Sequence, residues 1–120
     1  MNLFEKKERT YLEPAAHSED TYTYLDRSGR SYSQRVRDEL NKWFDNLPEK
    51  EKGGIKRRFM TEYRSAFFEL LLHEIFFKLN FDITFHPQIT GTTHRPDFLL
   101  EKDEAKFLLE ATVNTDSSYE

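Results

Sequence analysis

The feature that most constrains the fold is a nearly continuous apolar stretch, residues 66–77, in an otherwise polar chain. It forms the second half of a helix predicted over residues 55–79. A helix that is apolar on every side is expected to be buried on every side. Glu62, Glu69 and His73 nevertheless fall on one side of this helix. The sequence therefore predicts a buried central helix with one narrow polar line, and this line needs a partner.

After this helix the hydrophobic period changes from that of a helix to that of strands. Asn80 is suited to the left-handed residue that ends a helix. Residues 81–86 alternate apolar and polar, and two further apolar runs, 98–100 and 107–109, flank a polar turn. This order predicts an α+β fold, in which helices precede a three-stranded antiparallel meander and the central helix covers one face of the sheet.

The N-terminal half divides into two predicted units. Residues 1–30 lack a sustained period and are predicted to be an irregular arm, with a short strand near residues 21–25. Residues 31–58 are predicted to be a helical segment with a basic connector, because apolar residues recur there at helical spacing. Residues 59–120 are predicted to be the third unit, an αβββ core.

Capping and helix-breaking residues give the expected limits of the helix in the second unit. Ser31 and Gln34 fit a capping box at its start, and Pro48 is expected to stop it. Gly53 and Gly54 are expected to break any continuation toward the central helix.

Composition excludes several classes of protein. A chain of 120 residues suffices for one modest domain. The absence of cysteine excludes a disulfide framework, a thiolate zinc site and a cysteine nucleophile. No window approaches the roughly 18 apolar residues of a membrane span, and the N-terminus lacks the apolar core of a signal peptide. We therefore expect a cytoplasmic protein with no membrane partner.

Positive charge is concentrated just before the central helix. Residues 50–64 carry six basic and two acidic side chains, in a chain with a formal net charge of −4. The functional interpretation is a contact with the phosphate backbone of nucleic acid, and the alternative is a solvated helix face. The predicted nucleic-acid-binding residues are Lys56, Arg57, Arg58 and Arg64.

The last two strands allow a prediction of register. A turn centred between Asp103 and Glu104 pairs oppositely charged or apolar residues throughout, which supports this register. It also sets Asp97 opposite Glu110, with Cβ atoms about 5 Å apart. Two facing carboxylates repel, unless one is protonated or a divalent cation lies between them. The alternative is a solvated strand end, where both acids reach water.

These residues resemble a known family. Pro96-Asp97, twelve intervening residues and then Glu110-Ala111-Thr112, after a helix that carries Glu69, resemble the PD-(D/E)XK nuclease superfamily. The resemblance covers about residues 59–113 and implies a restriction-endonuclease-like α/β/α core. The same segments also resemble a set of uncharacterised bacterial proteins.

The resemblance implies a chemistry for each of these positions. Asp97 and Glu110 would bind Mg²⁺ or Mn²⁺, the main-chain carbonyl of Ala111 would be a further ligand, and Glu69 would be the accessory acid on the helix. The implied reaction is metal-assisted hydrolysis of a phosphodiester in nucleic acid, in DNA more than in RNA. The alternative is a catalytically inactive module of the same fold that binds nucleic acid or a protein partner.

Two departures from the family pattern bear on this expectation. The lysine of the pattern is replaced by Thr112, and Arg95, on the face of Asp97 and opposite Thr112 if pairing extends that far, is the predicted substitute. The helix and fourth strand of the family core have no room after Glu110. A second copy of the chain, or a missing C-terminal region, is therefore expected to complete the truncated core.

The polar line of the central helix has alternative interpretations as well. Glu69 is expected either at the acidic site or in a structural ion pair with Arg95 or Arg64. His73 is expected to be a packed histidine rather than a ligand. A zinc site made from histidines 73, 86 and 94 has no diagnostic spacing.

Overall fold

The computed structural model describes residues 1–112 and has four helices followed by three strands in this range. The end of the predicted 59–120 unit, from residue 113 onward, lies outside the described residues. The α+β class predicted from the sequence is confirmed. The elements are α1 (Thr21–Arg27), α2 (Ser31–Asp45), α3 (Glu49–Thr61), α4 (Tyr63–Lys78), β1 (Asp82–Phe85), β2 (Phe98–Lys102) and β3 (Ala105–Leu109).

Helix α2 forms where the apolar spacing predicts it and ends before Pro48. Its buried face includes Leu40 and Phe44. The predicted capping box is wrong: Ser31 is already the first helical residue, and the N-cap, Arg30, makes no side-chain capping bond. Pro48 then becomes the N-cap of α3, at the edge of a helix where its missing N–H has no cost.

The helix limits in the middle of the chain differ from the prediction. Helix α3 runs through Gly53 and Gly54, because burial of Ile55 and Phe59 on its inner face outweighs about 1 kcal/mol of lost helix propensity per glycine. The chain breaks instead at Glu62, whose φ and ψ are −140° and 60°. The helix predicted over 55–79 is therefore two helices, which pack against each other.

The predicted irregular arm contains a helix and part of the core. Helix α1 replaces the short strand predicted there, because the Asp20 carboxylate accepts a hydrogen bond from the Thr23 amide and caps the helix. Tyr22 and Leu25, one turn apart on α1, are buried. An amphipathic turn with a good N-cap is thus favoured over an isolated strand.

The first residues of the chain are pinned to the helices. Leu3 and Phe4 are fully or almost fully buried. The hydroxyl of Tyr22 donates to the Leu3 carbonyl over 2.8 Å, and the Asn41 amide bonds both the N–H and the carbonyl of Phe4. The rings of Phe4 and Tyr22 stack with centroids 4.9 Å apart. This segment is therefore a structural part of the helical region.

The main hydrophobic core lies between the helices. It joins the N-terminal segment, α1, α2, α3 and the first half of α4. Its buried members are Leu3, Phe4, Tyr22, Leu25, Leu40, Phe44, Leu47, Ile55, Phe59, Ala66 and Leu70. The core therefore lies mostly before the strands, and four of its members lie in the predicted irregular arm.

The sheet has the order β1-β2-β3 and is antiparallel throughout. The predicted register of β2 and β3 is confirmed, with Glu101 opposite Lys106 and Phe98 opposite Leu109. Asn80 has the positive φ of 65° that was expected at the end of α4. No helix within residues 1–112 is long and apolar enough to cross a lipid bilayer.

Helix α4 is not buried on every side. Its first half carries the buried Ala66 and Leu70, whereas Ile75 and Phe77 in its last turns are exposed. The last turns extend beyond the helical core and meet only a narrow sheet. There the ring of Phe76, on α4, makes edge contacts with the rings of Phe81 and Phe107. Three strands are too few to cover this part of the helix.

Candidate functional site

The polar line of α4 finds its partner on α3. The carboxylate of Glu69, whose side chain is 5% exposed, receives both terminal nitrogens of Arg58. The Nη2–Oε1 distance is 3.0 Å. The sequence predicted a structural ion pair as one alternative for Glu69, but with Arg95 or Arg64. The break at Glu62 folds α3 back onto α4 and makes Arg58 the partner.

The second predicted acid, Asp97, also acts on the charge of Arg58. The hydrogen bond from Arg58 to Glu69 is the main cause of a raised pKa of the guanidinium, and burial partly opposes it. The negative charges of Asp97 and Glu62 raise this pKa further. Arg58 is therefore a partly buried cation, 31% exposed at its side chain, that is bonded to one carboxylate and feels the charge of two others.

Asp97 is fixed by hydrogen bonds from both neighbouring segments of the sheet. Its Oδ2 atom accepts from the amide N–H of Ala111 over 2.7 Å. Its carbonyl accepts from the amide N–H of His86 over 2.9 Å. The strand ends of β1 and β3 thus meet at this one residue.

The ladder of β2 and β3 stops one pair short of the predicted facing acids. The last pair of the ladder is Phe98 and Leu109. Asp97 is the residue before Phe98, and Glu110 is the residue after Leu109. The ladder does not continue, because the Asp97 carboxylate takes the Ala111 N–H and Pro96 has no N–H to offer. The two acids are therefore neighbours at a strand end rather than partners within the sheet.

Glu110 lies at the surface and pairs with a histidine. Its Oε1 atom is 3.0 Å from Nε2 of His94, and the two side chains are 51% and 63% exposed. Exposed pairs of this kind contribute about 0–1 kcal/mol. Glu110 therefore remains accessible to an added ligand.

Arg95 and Thr112 do not face each other in the sheet, as an extended ladder would require. Arg95 is exposed on the loop before β2 and lines a cavity of about 410 Å³ together with Gln88 and Thr92. Thr112 is exposed beyond β3. The cation that pairs with an acid of the predicted site is Arg58, through Glu69, although sequence analysis assigned Arg58 to the basic surface.

The four predicted nucleic-acid-binding residues divide into two pairs. Lys56 donates to the Asn2 carbonyl over 2.8 Å and pairs with Glu5 at 3.0 Å, and Arg58 is held by Glu69 as described. Arg57 and Arg64 are exposed. Two of these four basic residues are therefore engaged with protein groups, and the other two are open to solvent.

His73 is a packed histidine, as expected. Its ring is 5.5 Å from that of Phe85 and 5.9 Å from that of Phe77, measured between centroids. Its Nδ1 atom is buried without a hydrogen-bond partner among the described residues. Burial lowers the pKa of His73, and the charge of Glu74 opposes this shift.

Residues 1–112 contain no group of three or more histidine, aspartate or glutamate side chains arranged to hold a metal ion. The histidine triad at residues 73, 86 and 94 is not brought together: the first is buried among aromatic rings, and the other two are exposed. The oxygen ligands that the strand ends offer are the carboxylates of Asp97 and Glu110 and the carbonyl of Ala111. Hard oxygen donors of this kind suit Mg²⁺ and Mn²⁺.

One residue of this site was missed by sequence reasoning. Arg58 was assigned to a surface patch, although a buried Glu69 requires a cation and the basic block is the nearest source of one. Arg58 could not be assigned to Glu69 without knowledge of the helix break at Glu62. No glycine or proline near Glu62 indicates this break in the sequence.

Comparison of the chain with protein-family models, curated proteins and solved structures gave no match. A functional assignment therefore rests on the geometry of the strand ends and of α3 and α4.

Proposed function

We propose that the chain is a PD-(D/E)XK-like nuclease domain, which hydrolyses phosphodiesters of nucleic acid with the help of Mg²⁺ or Mn²⁺. The observation that carries the proposal is the 2.7 Å hydrogen bond from the Ala111 N–H to Asp97. This bond holds the first acid against the strand end that carries Glu110. A divalent cation between the two carboxylates would offset their mutual repulsion.

The residues present suit such a cation in their chemistry. Asp97, Glu110 and the Ala111 carbonyl provide oxygen donors, and Mg²⁺ usually takes one or two protein carboxylates and completes its shell with waters and phosphate oxygens. When bound, a divalent cation supplies Lewis-acid polarisation of the phosphate and makes an attacking water more acidic.

Arg58 supplies a fixed positive charge that Thr112 does not. Its guanidinium is held by Glu69, so its position is set before any substrate binds. We assign to Arg58 the electrostatic role that the resemblance gives to the missing lysine, which is to offset charge that develops on the phosphate. Arg95, exposed two residues before Asp97, is the second candidate for this role.

The open half of the basic block supports a nucleic-acid substrate. Arg57 and Arg64 are exposed on α3 and α4, the helices that also carry Arg58 and Glu69. Such side chains bind phosphates without reading sequence. We expect DNA rather than RNA as the main substrate, in the cytoplasm, and a second copy of the chain as a partner.

A second function is favoured by a specific observation. Glu69, the accessory acid of the resemblance, is already neutralised by Arg58, and Thr112 stands where the motif has lysine. A catalytically inactive nuclease-fold module, which binds nucleic acid or a protein partner, accounts for both features.

Metal binding is tested by thermal unfolding with Mg²⁺ or Mn²⁺. A ligand that binds only the native state stabilises it by about 2.7 kcal/mol at one hundred times its Kd. We expect a saturable rise of Tm in the wild type and in Glu104→Gln, a matched acid at the exposed turn of the same hairpin. Asp97→Ala should abolish the rise. An unchanged wild-type Tm at millimolar metal would contradict the metal site.

Cleavage separates the two functions. Plasmid, single-stranded DNA and RNA are incubated with the protein and Mn²⁺, and Glu110→Gln is compared with Glu104→Gln. The nuclease proposal expects cleavage that is lost in Glu110→Gln and kept in Glu104→Gln. Retained binding of nucleic acid, measured by mobility shift, without cleavage in the wild type would support the inactive module instead.

A further inference from the structure

A second cavity, unrelated to the strand ends, lies between the N-terminal segment and α2. Its volume is about 490 Å³, within the range of small-molecule sites. Asn2 and residues 4–9 of the N-terminal segment line one side, and Gly29, Gln34, Arg37, Asp38 and Asn41 complete the lining. It shares no lining residue with the site around Asp97 and Glu110.

Arg37 is the unusual residue of this cavity. It is 6% exposed, although arginine is rarely buried unless it is paired. Its Nη1 atom donates to the carbonyls of Leu25 and Ser28, over 2.6 and 2.7 Å. Guanidinium has five N–H donors, so those on Nε and Nη2 have no protein acceptor in residues 1–112. Asp38 and Asp26 act on it without a hydrogen bond.

A second guanidinium belongs to the same cavity. Arg9, with a side chain that is 8% exposed, also lines the cavity and pairs with Asp26. Burial lowers the pKa of Arg37, and the charge of Arg9 lowers it further. The acidic residues that line the cavity, Glu5, Glu8 and Asp38, are exposed. The buried charge at this cavity is therefore positive.

We propose that this cavity binds a small, multiply charged oxyanion, a phosphate ester or a dicarboxylate, whose oxygens accept the unused N–H groups of Arg37. The planar fork of guanidinium matches the geometry of both oxyanions. The exposed Lys6 and Gln34, which also line the cavity, offer further donors to the same anion.

The cavity is tested by titration of the full chain with three probes, inorganic phosphate, pyrophosphate and succinate, at matched ionic strength in chloride. Isothermal titration calorimetry gives the affinity, and shifts of the backbone amide signals of Gly29 and Asn41 report where binding occurs. We expect saturable binding of at least one probe, with shifts at these two amides. The preferred probe distinguishes a phosphate ligand from a dicarboxylate.

Arg37→Met should weaken binding of the preferred probe at least tenfold, since one tenfold step corresponds to about 1.4 kcal/mol. Arg35→Met is the matched control, because Arg35 is an exposed arginine on the same helix and does not line the cavity. Equal affinity of these two variants would overturn the proposal. So would the absence of saturable binding of all three probes to the wild type.

A further variant keeps the test decisive if Arg37→Met does not fold. The double change Lys6→Ala and Gln34→Ala removes two exposed donors and leaves the buried hydrogen bonds of Arg37 intact. We expect a threefold to tenfold loss of affinity with an unchanged Tm. Unchanged affinity in this variant would contradict the site.

Discussion

The two halves of the molecule differ in how completely they are packed. The helical half, from the N-terminal segment to the first half of α4, buries Phe4, Phe44 and Phe59 almost fully. In the sheet half, the central strand β2 buries Phe98, but the edge strand β3 leaves Phe107 41% exposed. Apolar burial is the dominant favourable term in folding, so we infer that the helical half supplies most of the stability.

The comparison bears on the candidate site as well. Asp97 and Glu110 lie at strand ends of the less buried half, and Glu69 lies at the boundary between the halves. Arg58 lies on α3 in the well-packed half and is bonded to Glu69. The acids of the sheet half are held instead by the hydrogen bonds of Asp97 to Ala111 and His86. The four predictions that follow test this difference between the halves.

Truncation of a core phenylalanine tests the difference most strongly. Phe44→Ala, in the helical half, should destabilise the protein by about 3–5 kcal/mol, because it leaves a cavity in the core. Phe107→Ala, in the sheet half, should cost less than about 1 kcal/mol, because the ring is partly in water. Urea unfolding measures both. Equal costs would contradict the inferred distribution of stability.

Removal of the Arg58 cation has the next largest expected effect. Arg58→Met leaves the buried Glu69 carboxylate without its partner, which should cost about 2 kcal/mol, less than for a fully buried pair because Arg58 is partly exposed. The double variant with Glu69→Leu should recover part of the loss. A double-mutant cycle by urea unfolding gives the coupling, and strict additivity would show that the two side chains do not interact.

Two glycines of the helical half should respond to alanine with opposite signs. A Cβ on Gly29 would overlap the Arg9 carbonyl, so Gly29→Ala should destabilise by about 1–3 kcal/mol. Gly53 lies inside α3 with open space around it, so Gly53→Ala should stabilise by about 0.5–1 kcal/mol. Thermal unfolding compares the two. A stabilising Gly29→Ala would contradict the close packing of the N-terminal segment.

The smallest expected effect concerns His73, where α4 meets the sheet. Burial lowers the pKa of His73 in the folded protein from its ordinary value of 6.5. The unfolded chain then binds more protons below about pH 6.5, so stability should fall as the pH falls through this range, by at most about 1.4 kcal/mol per unit. Urea unfolding between about pH 5 and 8 measures this slope.

The control for this slope is the exposed His94. His73→Gln should remove the part of the pH dependence that the buried imidazole causes, whereas His94→Gln should leave it in place. An identical slope in wild type and His73→Gln would show that the imidazole does not titrate between the two states in this range.

The sequence was most informative about the sheet and least informative about the helical half. The register of β2 and β3 follows from the pairing of opposite charges and of apolar residues alone. Asn80 predicts the end of α4, because asparagine accepts the positive φ found there. The burial of Leu3 and Phe4 was not predictable, because two apolar residues in a polar segment carry no period. Their place depends on contacts with Asn41 and Tyr22, far away in sequence.

The sequence predicted the acidic residues of the candidate site but did not predict which cation pairs with Glu69. Asp97 and Glu110 follow from register and resemblance, since both depend on local spacing. Arg58 could not be placed, because its contact with Glu69 depends on a helix break at Glu62 that packing of α3 on α4 decides. Local patterns predict strands and turns, whereas the relation between two helices depends on tertiary contacts.

The anchoring of Leu3 and Phe4 has a consequence for limited proteolysis. Between these anchors and α1 the chain is exposed over residues 12–18, the kind of segment that proteases nick. A cut there would leave a peptide that is still held by the ring stack with Tyr22 and by both hydrogen bonds to Asn41. The nicked protein should therefore remain folded as a non-covalent pair, and a synthetic peptide of residues 1–11 should complement a chain that begins near residue 18.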